Sequence, residues 1–192
     1  MSRLAIFASG YGSNFQAIVN AVKNNALPAE VVLLVCDKEG AKVIEKANKE
    51  NISTFVTSPK SFESKKHYEE AILEALQEQQ VDWLILAGYM RLVGETLLRA
   101  YEGKIVNIHP SLLPSFPGKD AIGQAFEAKV KITGVTVHFV DEGMDTGPII
   151  DQEAIRIEHH DTYESLQVKI QSIEHSLYPN TIKKLVAGGN HS

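Results

Sequence analysis

Leu4-Ala5-Ile6-Phe7-Ala8-Ser9-Gly10-Tyr11-Gly12-Ser13-Asn14 is an apolar run that ends in a glycine-rich turn and opens into a helical pattern. An unbroken apolar run of this kind suits a strand buried on both faces, as in a parallel sheet. Residues 13–23 read as a helix, with Ser13 and Gln16 in the spacing of a capping box that places the helix start there. Strand, turn and helix in that order begin a βα unit, and the chain repeats it. Strands are expected over 31–36, 54–57, 83–87 and 105–108, and helices over 41–49, 62–79, 95–100 and 121–128. Within 62–79, Tyr68, Ile72 and Leu76 form one apolar line. Two further strands, around 136–140 and 148–157, precede a last helix over 163–186 with a stripe of Leu166, Ile170, Ile173 and Leu177. Repeated βα units predict an α/β fold: a mostly parallel twisted sheet, helices on both faces, and an antiparallel strand near one side. No linker or repeat interrupts it, so residues 1–187 read as one domain and 188–192 as a disordered tail.

Composition sets limits on function. The 192 residues suffice for one well-buried domain, and 44% hydrophobic with 22% charged residues is ordinary for a soluble protein. The single cysteine, Cys36, excludes an intrachain disulfide, suits a reducing compartment, and sits beside an apolar strand as a buried thiol would. The apolar runs are far shorter than the ~20 residues a membrane helix needs. Met1-Ser2-Arg3 before the first apolar run resembles a secretory signal only superficially, because that run is too short. Nineteen basic against 24 acidic residues give a net charge of −5, which argues against a nucleic-acid partner and leaves room for an anionic metabolite at a local positive site. A cytoplasmic enzyme or binding protein for small molecules, monomeric or homodimeric, is the expectation.

Three stretches carry chemistry. The turn Gly10-Tyr11-Gly12-Ser13-Asn14 suits a phosphate, since glycines let the backbone approach and free N–H groups at a helix start attract an anion. It is not a dinucleotide fingerprint, because Phe15 stands where the third glycine belongs. Asp37, at the end of the second strand, is placed as a ribose-binding acid would be and keeps a nicotinamide reading open. Asn107 and His109 sit two apart at the end of the run Ile105-Val106, followed by Pro110 and Pro114. Residues two apart on a strand share a face, so a hydrogen-bond donor and a proton carrier stand side by side where α/β proteins keep their ligands. A Pro-rich turn with incidental polar residues is the plainer alternative. Finally, Gly134 to Ile150 reads as strand, glycine-rich loop and strand, with Asp145 between Gly143 and Gly147. The glycines are expected to leave room for substrate, and Asp145 is either a turn former or a partner for His109.

Together, Asn107-x-His109-Pro110-Ser111-Leu112-Leu113-Pro114 and the Asp145 loop resemble the active-site signature of formyltransferases that use 10-formyltetrahydrofolate. Ala8 through Asn14, Ala87-Gly88-Tyr89-Met90-Arg91 and the length extend the resemblance over roughly residues 3–187. It implies a single-domain Rossmann-like formyltransferase fold, with 10-formyltetrahydrofolate as co-substrate and no metal. The implied acceptor is the amine of 5'-phosphoribosylglycinamide, in de novo purine biosynthesis. Asn107, His109 and Asp145 are then catalytic, with Asn107 also touching the folate. Gly12, Ser13 and Asn14 hold the phosphate, and Gln171 and Glu174 contact the ribose and glycinamide parts. Residues Met90, Arg91, Leu92 and Val93 shape the pterin pocket. Lys65 stands where relatives often carry an arginine beside the folate, keeping the charge without the planar fork; Lys66 is an equal candidate for that place. Read without the resemblance, Gln171 and Glu174 are a solvated helix face and both lysines a wet helix start.

The remaining histidines are given plain roles: His138, within the penultimate strand, could face the site but reads first as a packed or half-exposed strand residue, His159 and His160 as a polar loop, and His175 as a neighbour of the ribonucleotide site. No His/Cys spacing suits a metal. A formyltetrahydrofolate hydrolase would share the three catalytic residues, but relatives of that kind carry an additional N-terminal domain, and this chain begins at its first strand. A methionyl-tRNA formyltransferase would need a C-terminal RNA-binding domain and a basic surface. A non-enzymatic phosphate or nucleotide-binding module would use the Gly12 loop alone.

Overall fold

The computed structural model describes residues 1–188, so the expected tail lies, apart from Gly188, outside the described residues. The first unit is β1 (Ser2–Phe7) and α1 (Ser13–Lys23); β2 (Ala29–Cys36), α2 (Lys42–Lys49) and β3 (Ser53–Val56) follow. A 3-10 turn over Pro59–Ser61 leads to α3 (Lys65–Glu78), β4 (Trp83–Leu86), α4 (Glu95–Ala100) and β5 (Ile105–His109). The chain ends with α5 (Ala121–Glu127), β6 (Ile132–Phe139), β7 (Ile149–Arg156) and α6 (Tyr163–Val186).

These strands form a single seven-stranded sheet in the order β3-β2-β1-β4-β5-β6-β7. Every pair from β3 to β5 is parallel, and β6 runs antiparallel to both β5 and β7. The expected α/β sheet with an antiparallel strand near one side is therefore what the chain forms. Strand periodicity divides the core in two. Leu4, Ile6 and Ala8 of the first strand segment pack with Phe15 and Ile18 of α1, Val43 of α2 and Leu166 and Ile170 of α6. Ala5 and Phe7 point the other way, onto Tyr68, Ile72 and Leu76 of α3 and Leu97 of α4. Cys36 is fully buried in the first of these cores. The order reverses between β1 and β4, and crevices at such points, beyond the carboxyl ends of the strands, are where α/β sheets bind ligands.

Three sequence expectations need correction. Ser13 does not cap α1: Gly12 is the N-cap, with no side-chain hydrogen bond, and the Gln16 amide instead faces Asn20 and Glu50. The helix expected from residue 62 begins at Lys65, because Ser64 accepts a hydrogen bond from the His67 N–H and sets the start. The strand expected around 136–140 begins at Ile132, since pairing with β7 extends to Arg156.

Candidate active site

Asn107 and His109 stand on one face of β5, as their spacing requires, and His138 and Thr136 of β6 lie directly opposite them. His109 is buried and its two ring nitrogens face different groups. Nε2 is 2.9 Å from the Phe116 carbonyl oxygen, and Nδ1 is 3.4 Å from Asp145 Oδ2. A carbonyl and a carboxylate both only accept, so the ring satisfies both partners when it carries two N–H groups. The 140–148 loop folds back to bring Asp145 here, with Asp145 itself in left-handed backbone at φ 56°. Its Oδ2 also accepts the Gly118 N–H at 2.8 Å.

His138 is more than a packed strand residue. Its Nδ1 lies 2.8 Å from the Phe139 carbonyl oxygen, which needs a donor, leaving Nε2 to accept from the Asn107 amide at 3.3 Å. Burial lowers the His138 pKa, against the raising effect of the Phe139 carbonyl and of Asp145, whose Oδ1 is 3.8 Å away. A neutral ring in this tautomer orients the Asn107 amide. Thr136 pins the chain beyond β5: its hydroxyl donates to Ser111 O at 2.7 Å and accepts from the Leu113 N–H and the Gln152 amide, each at 3.0 Å. Neither role could be read without the β5–β6 register.

The glycines flanking Asp145 serve the loop rather than a substrate. A Cβ on Gly143 would collide with the Thr146 side chain, and one on Gly147 with the Phe139 carbonyl. Expected clearance for substrate is thus corrected to close self-packing.

At the other side of the switch point, Gly12 has φ +79°, and a Cβ there would meet Val43 Cγ2 at 2.5 Å. Asn14 is buried, with its Oδ1 lacking a hydrogen-bond partner among the described residues. Its side chain also reaches Glu174 of α6, which is 8% exposed. Burial pushes the Glu174 pKa up to about 7, with the Asn14 hydrogen bond acting in the opposite sense. Glu174 and Asn14 are therefore brought together from opposite ends of the chain, and Glu174 is no solvated face; Gln171 sits half-buried one turn earlier. Lys46 was not anticipated: its Nζ lies 3.8 Å over the exposed Tyr11 ring and 3.5 Å from the Gly12 carbonyl. Burial and the Lys46 charge lower the pKa of His175, whose Nε2 is enclosed without a hydrogen-bond partner among the described residues.

Beyond β4, the Met90 and Leu92 side chains are exposed while Val93 is buried in the α3 core. Glu69 accepts the Gly94 N–H at 2.6 Å, and Lys65 is 4.0 Å from the same carboxylate. Lys65 thus stands at the end of this strip, whereas Lys66 turns to Glu70 at 3.7 Å. Asp37 is not an open ribose acceptor, since Ser9 and Arg91 occupy its carboxylate.

A family model described as formyl transferase matches residues 2–182. The chain belongs to the formyl transferase family. This formyl transferase is 57% identical over 190 residues to phosphoribosylglycinamide formyltransferase of Bacillus subtilis (strain 168), covering 99% of the chain and 97% of the relative. Its fold matches the crystal structure of phosphoribosylglycinamide formyltransferase from Bacillus halodurans with TM-score 0.95 at 57% identity, covering 98% and 97% of the two chains. Glycinamide ribonucleotide transformylase 1 from Geobacillus kaustophilus matches with TM-score 0.94 at 62% identity, covering 96% of this chain and 98% of that one.

Proposed function

We propose that this formyl transferase moves the formyl group of 10-formyltetrahydrofolate to the amine of 5'-phosphoribosylglycinamide, a step of purine biosynthesis. The convergence of Asn107, His109 and Asp145 on one face of β5 is the observation that carries this reading. The acceptor amine attacks the formyl carbon and negative charge develops on the formyl oxygen. The N–H₂ of Asn107, oriented by His138, and the His109 imidazolium stabilise it; one such donor commonly contributes ~10²–10³ in rate. As the tetrahedral intermediate collapses, the bond from carbon to N10 breaks, the new amide stays on the ribonucleotide, and the proton lost by the attacking amine reaches N10 through His109. With Nδ1 held by Asp145, Nε2 is the nitrogen left for substrate, so the Phe116 carbonyl must release it.

The substrate sites belong to the same proposal. The Gly12-Ser13-Asn14 turn and the α1 start take the phosphate, with Lys46 beside it; Gln171 and Glu174 face the ribose and glycinamide parts. Residues Met90, Arg91, Leu92 and Val93 and Lys65 form the folate side. A cytoplasmic setting, with the chain acting alone or as a homodimer on small molecules only, belongs to the same proposal.

The test is the absorbance of the deformylated folate. Product that forms only when 5'-phosphoribosylglycinamide is added supports transfer. Product without it points to hydrolysis, and no product points to a non-enzymatic binding module.

A further inference from the structure

Asp37 is a buried carboxylate that the transfer chemistry does not use. It follows β2, Ser9 follows β1, and Met90 and Arg91 follow β4, three strands that are neighbours in the sheet. The four residues are joined by side-chain bonds. Ser9 Oγ donates to Asp37 Oδ1 at 2.5 Å and accepts the Met90 N–H at 2.9 Å. Arg91 Nε donates to Asp37 Oδ2 at 2.8 Å. The Ser9 N–H donates to the Gly88 carbonyl at 3.1 Å, so backbone and side chain of one residue grip both ends of the 88–90 segment. Asp37 is 7% exposed and Ser9 7%, whereas Met90 is 74% exposed and the Arg91 side chain 48%. The anchor is buried and what it holds is at the surface, where a ligand would lie.

We propose that Asp37 is a positioning residue for the formyl donor, fixing the backbone of residues 90–93 through Ser9 and Arg91. The inference rests on the proposed function, in which that strip forms the folate side. A heterocycle edge is recognised by backbone N–H and C=O groups only if they are held still, and a segment beyond a strand end has no ladder to hold it. Asp37 supplies the substitute. Its Oδ1 fixes the Ser9 hydroxyl so that the oxygen lone pairs face the Met90 N–H, and its Oδ2 draws Arg91 back against the sheet.

The test is steady-state kinetics of Asp37→Asn, Asp37→Ala and Ser9→Ala with each substrate varied in turn. Asn keeps an oxygen for the Ser9 hydroxyl but loses the charge pair with Arg91. KM for 10-formyltetrahydrofolate is expected to rise ~10-fold in Asp37→Asn, the scale of one lost charge-assisted bond. It should rise further in Asp37→Ala and Ser9→Ala. The KM for the ribonucleotide and kcat at saturating donor should stay within ~3-fold, a split that general loss of structure does not produce. An unchanged donor KM, or both KM values moving together, overturns the inference while leaving the functional reading intact. If the alanine variants fail to fold, the near-isosteric Asp37→Asn decides: a raised donor KM alone supports the inference and no change overturns it. Absence of formyl transfer by the unaltered protein overturns both.

Discussion

The carboxylate of Asp145 lies 3.4 Å from Nδ1 of His109, joining the loop before β7 to the last residue of β5. The opposite ring nitrogen faces the Phe116 carbonyl. A histidine ring set between two acceptors has a partner for an N–H on either nitrogen, and its usefulness depends on Asp145 keeping one side of the ring occupied. Each neighbour of this pair has a consequence that can be measured.

His138 and Asn107 should act as one unit. Asn107→Ala removes the donor and His138→Ala removes what aims it, so each lowers kcat. The loss in the double variant should fall short of the product of the single losses by ~5-fold or more, as for residues in contact. Independent losses in this double-mutant cycle would contradict the orienting role.

Gly12→Ala should damage the ribonucleotide side selectively. The added Cβ meets Val43 Cγ2 at 2.5 Å, on a backbone at φ +79° that resists any side chain. A cost of ~1–3 kcal/mol is expected, visible as a fall in Tm of several degrees. KM for the ribonucleotide should rise ~10-fold or more, equivalent to ~1.4 kcal/mol of binding, with a smaller change for the folate.

Glu174 predicts a pH dependence of stability. Burial raises its pKa from 4.5 in the unfolded chain to about 7 when folded, so the folded state binds the extra proton between those values. Stability is therefore highest at the acid end of this window, falls as pH rises toward 7, and changes no further from this group above it. The span is on the order of 3 kcal/mol. Glu174→Gln, which stays neutral, should abolish the slope in denaturant titrations run across the window; an unchanged slope would show that another group causes it.

Lys46→Ala should raise the ribonucleotide KM by ~3–10-fold, an effect that shrinks as salt is added, because the lysine acts by charge from its rest on Tyr11. A salt-independent change would mean that the Lys46–Tyr11 contact matters for packing instead.

Much of this molecule was legible in its residues. The apolar runs at 4–8 and 105–106 and the apolar line of Tyr68, Ile72 and Leu76 have patterns that packing in and against a sheet enforces, so element order and the buried helical face could be read. Asn107 and His109 share a face for the same reason. Helix starts were less legible, because α3 is set by the Ser64 cap rather than by the apolar residue Phe62, and α1 by a glycine with no side chain to signal it. Thr136 was hidden, and His138 could be placed near the site but not against Asn107, because their partners are chosen by antiparallel register, a long-range property. Lys46 reaches the Gly12 turn across the α1–α2 connection, and no local pattern marks that approach.

The most direct test of the account is the turnover of Asp145→Asn, which keeps the shape of the side chain and removes its charge. The account predicts a fall in kcat of ~10²–10⁴, with the KM of each substrate within ~3-fold of the unaltered protein. Turnover close to that of the unaltered protein would contradict it.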